Sequence, residues 1–174
     1  MKFRTIINRL NWQQILIHLL AIWLFSAAFE TFFYLSDPHF LEKIVNAKQQ
    51  GLDISDIIKE DKTFAFGDFY YYSAVGLFTG FLIGFIISLA ISIRGKGFWL
   101  NSLLSAISFF LLNRLGLDSS YFLKAIFLFP GIIIQKNIVL TIIINAFILL
   151  GLGILAFFLN KFNNPLIRHK TSVV

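Results

Sequence analysis

A chain of 174 residues that is 57% hydrophobic, 17% aromatic and 14% charged, with mean hydropathy +0.79, holds more apolar surface than one small water-soluble domain can bury. The surplus must face lipid or a large partner. With no cysteine in the chain, disulfide frameworks, thiolate metal sites and cysteine nucleophiles are excluded. The net charge of +6 is carried by short basic flanks of apolar runs and not by one stripe. It therefore reads as a set of topology signals and not as a nucleic-acid surface.

In chain order, a first span is expected over about 12–35, where 24 residues rise ~36 Å, enough to cross a bilayer with some tilt. Its basic start, apolar core and small Ser26 and Ala28 imitate a signal peptide, but the apolar run continues through Phe29, Phe32, Phe33 and Tyr34. An uncleaved anchor is the better expectation.

The next 33 residues, 36–68, hold seven Asp or Glu against four Lys. Ser36-Asp37-Pro38 forms a helix entrance and Gly51 a stop, and a second short helix follows Asp53. A helical hairpin on the outer membrane surface is expected, either closing the bundle or docking a partner.

A second span is expected over 69–93, a third over 98–115 and a fourth over 138–160. The segment 121–135 is apolar but short and broken by Pro130-Gly131, so it reads as re-entrant or interface-lying. Basic residues decide the orientation by density. Segments 1–11, 94–97 and 161–174 carry eight, while the longer segments 36–68 and 114–136 carry seven. The positive-inside rule then places both termini in the cytoplasm. The expected fold is all-α, one polytopic bundle of four transmembrane helices in the inner (plasma) membrane.

The clearest packing signal is Gly76, Gly80, Gly84 and Ser88, small residues at every fourth position of span two. They carve a groove where another backbone can approach closely, whether from this chain, a second copy or another subunit. Ala146, Gly151 and Gly153 offer a similar but shorter surface on span four.

Ionisable and polar residues inside spans carry the remaining expectations. Glu30 lies near the outer end of span one and needs a partner, since a lone charge there is costly. Arg114 is at a matching depth on span three, so an intramembrane Glu30–Arg114 ion pair is expected, with Ser26 and Asn113 as hydrogen-bonding neighbours. His18 reads as a hydrogen-bonded packing residue one turn above Gln14. Asn101, Ser105 and Ser108 on span three, with Thr141 and Asn145 on span four, form polar stripes that bond across helices or, where they face each other across a symmetric assembly, line a narrow path.

No HExxH, Walker, GxSxG or GxGxxG motif occurs, and the three histidines are scattered. His39 with Asp37 and Glu42 is a poor cation set. No catalytic residue, metal or cofactor is expected. The leading expectation is a non-enzymatic membrane protein acting through helix association, as an accessory subunit or homo-oligomer in contact with lipid. The competing one is a small channel or ion-coupled transporter using Glu30 and the polar stripe.

Overall fold

A computed structural model describes residues 10–36, 66–94, 99–115 and 138–159. The expected outer hairpin, apart from its ends, and the segment 121–135 lie outside the described residues. Among the described residues there are four helices and one short turn, and no strand. Helix α1 spans Trp12–Phe33 and runs into a 3₁₀ turn at Tyr34–Ser36. Helix α2 spans Phe66–Arg94, α3 Leu100–Arg114 and α4 Ile138–Phe157.

Local chemistry fixes several ends. Asn11 caps α1, its side-chain Oδ1 accepting from the Gln14 backbone N–H at 3.3 Å while its own carbonyl accepts from Ile15 at 2.9 Å. The α3 ladder closes on Leu115, whose N–H donates to the Leu111 carbonyl at 3.0 Å. Helix α2 begins at Phe66, inside the stretch expected to belong to the outer hairpin, which makes it a helix of 29 residues. Among the described residues two helices, α1 and the Ala74–Arg94 part of α2, are long and apolar enough to cross a membrane.

Helix α1 is the hub. Helices α2, α3 and α4 each pack chiefly on it, α2 and α3 touch lightly, and α3 and α4 share no substantial face. Hence 44% of the α1 span is buried against 28% of that in α2. The central core joins Ala21, Ile22 and Phe25 of α1 with Phe81 of α2, Ala106 and Phe109 of α3 and Ala156 and Phe157 of α4. Phe81 stacks on Phe109 with ring centres 5.3 Å apart, so two aromatic rings bridge α2 and α3. A smaller cluster of Leu24, Ala28 and Leu149 extends the α1–α4 contact.

The small residues of α4 divide. Ala146 is buried, and a side chain at Gly153 would meet the Phe25 ring at 2.7 Å, so Gly153 belongs to the α1 contact. Gly151 faces open space and takes no part in the packing.

Candidate functional site

Gly76, Gly80 and Gly84 lie directly against the backbone of α1. A Cβ built on Gly76 would sit 2.8 Å from the Glu30 Cα, one on Gly80 2.7 Å from the Ser26 Cα, and one on Gly84 3.1 Å from the Ile22 Cα. The row continues in hydrogen bonds: Ser88 Oγ meets His18 Nδ1 at 2.6 Å, and Ser92 Oγ accepts from Gln14 Nε2 at 3.2 Å. Facing positions step by four on both antiparallel helices: 76 with 30, 80 with 26, 84 with 22, 88 with 18 and 92 with 14. One seam, ~24 Å long at 1.5 Å per residue, therefore changes from glycine-to-backbone contact at one end to polar contact at the other. The groove read from the sequence is filled by the chain's own first helix.

At the polar end the side chains form a directed chain. Asn101 Nδ2 donates to Gln14 Oε1 at 2.7 Å, and Gln14 Nε2 donates onward to Ser92 Oγ. Ser102 donates its hydroxyl hydrogen to the Ser88 carbonyl at 3.0 Å. It must therefore accept at its other contact, 2.7 Å from Ser92 Oγ, and Ser92 is the donor there. Asn101 Oδ1 in turn accepts from the Asn11 backbone N–H at 3.2 Å, which ties the start of α3 to the cap of α1. The Ser105 hydroxyl lies 2.9 Å from the Ile15 carbonyl and 2.8 Å from the Asn101 carbonyl, and shares its one hydrogen between α1 and its own helix.

Gln14, His18, Ser88, Ser92, Asn101, Ser102 and Ser105 are all essentially buried. Burial of this many polar groups is tolerated because each is matched, and each has at least one match on another helix. His18 adds the fourth helix: its ring meets Phe157 of α4 edge-on, with centres 5.4 Å apart. The cluster thus gathers the start of α1, the end of α2, the start of α3 and the end of α4. Chemically it holds amides, hydroxyls and one imidazole, a set suited to joining helices.

Several expected roles shift accordingly. Ser26 does not serve Glu30: its hydroxyl donates to the Ile22 carbonyl of its own helix at 2.9 Å, and its backbone is pressed by Gly80. The polar stripes of α3 and α4 lie on helices that share no substantial face among the described residues. Asn101 and Ser105 turn to α1, Ser108 is half-buried, and the Thr141 side chain lies outside the described residues. Asn145 is 6% exposed on α4, and its Oδ1 has no hydrogen-bond partner among the described residues.

Glu30 is half-buried at the glycine end of the seam, and Arg114 is exposed in the last turn of α3. Carrying the Gln14–Asn101 register up the two helices sets Arg114 level with Ala27, ~4.5 Å of rise short of Glu30. Among the described residues no group of three or more His, Cys, Asp or Glu is placed to hold a metal ion.

Ser92, Ser102 and Gln14 are functional members of this cluster that carry no assigned role in the sequence pattern. Ser92 was detectable as the next step of the Gly76-Gly80-Gly84-Ser88 row. Ser102 was not, since it is adjacent to Asn101 and off the stripe; it matters because α3 sits in the crevice between two helices and uses two edges.

Comparison with family models, with curated proteins and with solved structures gives no match in any of the three.

Proposed function

We propose that the chain is a non-enzymatic integral membrane protein with four crossing helices and cytoplasmic termini, which works through helix association as an accessory subunit or a homo-oligomer. The observation that carries this reading is the hub arrangement. Because α2, α3 and α4 pack on α1 and hardly on one another, each keeps a long apolar flank: Phe78, Leu82 and Ile86 on α2, Ile107 and Phe110 on α3, Phe147 and Leu155 on α4. Water would penalise such flanks at roughly 25 cal/mol per Å² of apolar area, whereas lipid or a neighbouring helix accepts them. The polar side chains that could do chemistry are instead spent on joining helices at the His18 end.

The groove of α2 gives no support to a partner, since α1 fills it. Association would use the outer flanks. The Glu30–Arg114 ion pair belongs to this proposal as a second clamp at the far end of the bundle, where the two groups lie at similar depth.

A small channel or ion-coupled transporter is the second reading, and Asn145 favours it. A buried carbonyl oxygen without a donor is unusual in a finished core and is the type of group that lines a polar passage.

The particle extracted in mild detergent decides between them. A particle of several copies, or with other chains attached, together with silence in proteoliposome flux assays, is expected. A monomeric particle that conducts an ion or solute, with conduction lost in Asn145→Leu, would replace the association reading with the transport one.

A further inference from the structure

We propose that α3 enters the bilayer only by docking on a polar floor that α1 and α2 build first, with Gln14 as the receptor for Asn101. This rests on the four-crossing reading and adds how the third crossing is made. Helix α3 has 15 residues, ~22 Å of rise against a hydrocarbon core of about 30 Å. Within that length it carries Asn101, Ser102, Ser105, Ser108, Asn113 and Arg114. It is not among the helices long and apolar enough to cross alone; α1 and α2 are.

The floor exists without α3. Glycine contacts from Gly76 to Gly84 close the α1–α2 seam, and Gln14 is already held across it by Ser92. Both helices also precede α3 in the chain, so they are able to pair before it arrives. Every buried polar side chain at the start of α3 then finds a partner on that floor: Asn101 on Gln14, Ser102 on the Ser88 carbonyl and Ser105 on the Ile15 carbonyl. A hydrogen-bonding group that would oppose entry into lipid alone favours entry beside its partner.

The chain has no cysteine, so single cysteines report sidedness cleanly. Ser36→Cys and Leu115→Cys, both at exposed positions, are labelled in sealed vesicles with a membrane-impermeant maleimide. In the otherwise unchanged chain both are expected to label from the same side. Adding Gln14→Leu is expected to lower the ratio of Leu115→Cys labelling from that side to labelling from the other about threefold, the loss of the one hydrogen bond by which Gln14 holds α3. Making α3 apolar with Asn101→Leu, Ser102→Ala and Ser105→Ala in the Gln14→Leu background is expected to restore the original side.

If Gln14→Leu leaves Leu115→Cys where it was, conditional entry is wrong while the crossing stands. Failure of the apolar α3 to restore sidedness would mean general misfolding, and would also overturn the proposal. If the unsubstituted background labels Leu115→Cys from the side opposite Ser36→Cys, the four-crossing reading itself fails.

Discussion

Gly80→Leu is expected to abolish the α1–α2 seam, and Gly80→Ala alone to destabilise the protein by about 1–3 kcal/mol through overpacking. Most glycines in a helix gain stability when replaced by alanine, by about 0.5–1 kcal/mol, because alanine loses less backbone freedom on folding. The sign reverses at Gly80 because the added Cβ meets the Phe25 carbonyl oxygen and the Ser26 Cα, and backbone cannot move aside as a flexible side-chain tip can. The series should follow the clearances. Gly76→Ala, also against backbone, is expected to be nearly as costly as Gly80→Ala. Gly84→Ala, at 3.1 Å from the Ile22 Cα, should be milder, and Gly151→Ala, with nothing within 4 Å, neutral or stabilising. Unfolding midpoints in a denaturing-detergent titration would order the four. Equal midpoints for Gly80→Ala and Gly151→Ala would show that the seam is not where the structure puts it.

This seam marks the boundary of what the sequence can say. The helices were legible because a run of about 20 apolar residues has few other uses, and the glycine row because spacing by four places small residues on one face. The occupant was not legible. A row of small residues states that some backbone comes close, and the matching row on α1, Gln14, His18, Ile22, Ser26 and Glu30, mixes an amide, an imidazole, an aliphatic, a hydroxyl and a carboxylate. Read along α1 it has no common chemistry; its unity is geometric, a line of positions brought beneath the glycines and serines of α2.

Glu30 shows the same effect. Its charge suggested a partner on α3, while its place in the row is set by a backbone contact with Gly76. On α3, the spacing of Asn101, Ser105 and Ser108 indicated one polar edge, and the structure adds a second at Ser102 because two helices, not one, receive it.

Two asparagines are expected to respond to the same substitution with opposite signs. Asn101→Leu removes a donor from the buried Gln14 Oε1 and an acceptor from the half-buried Asn11 N–H, and the first has no water at hand to replace what it loses. A loss of about 1–3 kcal/mol is expected, more than the bonds themselves contribute, because an orphaned polar group bears its whole desolvation cost. Asn145→Leu removes a buried carbonyl oxygen that has no partner to lose. It is expected to stabilise the fold by about 1 kcal/mol, the desolvation cost recovered, with a leucine that keeps the branching at Cγ but is bulkier than the asparagine it replaces.

Both variants would be followed by the same detergent titration, with Asn101→Ala and Asn145→Ala as controls for volume. A destabilised Asn145→Leu would mean that the amide has a donor that the bundle does not itself supply, such as a bound water or a transported ion. That outcome would shift weight from the association reading to the transport one. A stabilised Asn145→Leu whose particle keeps its size and composition would leave the amide no structural or assembly role, and flux alone would then remain to give it one.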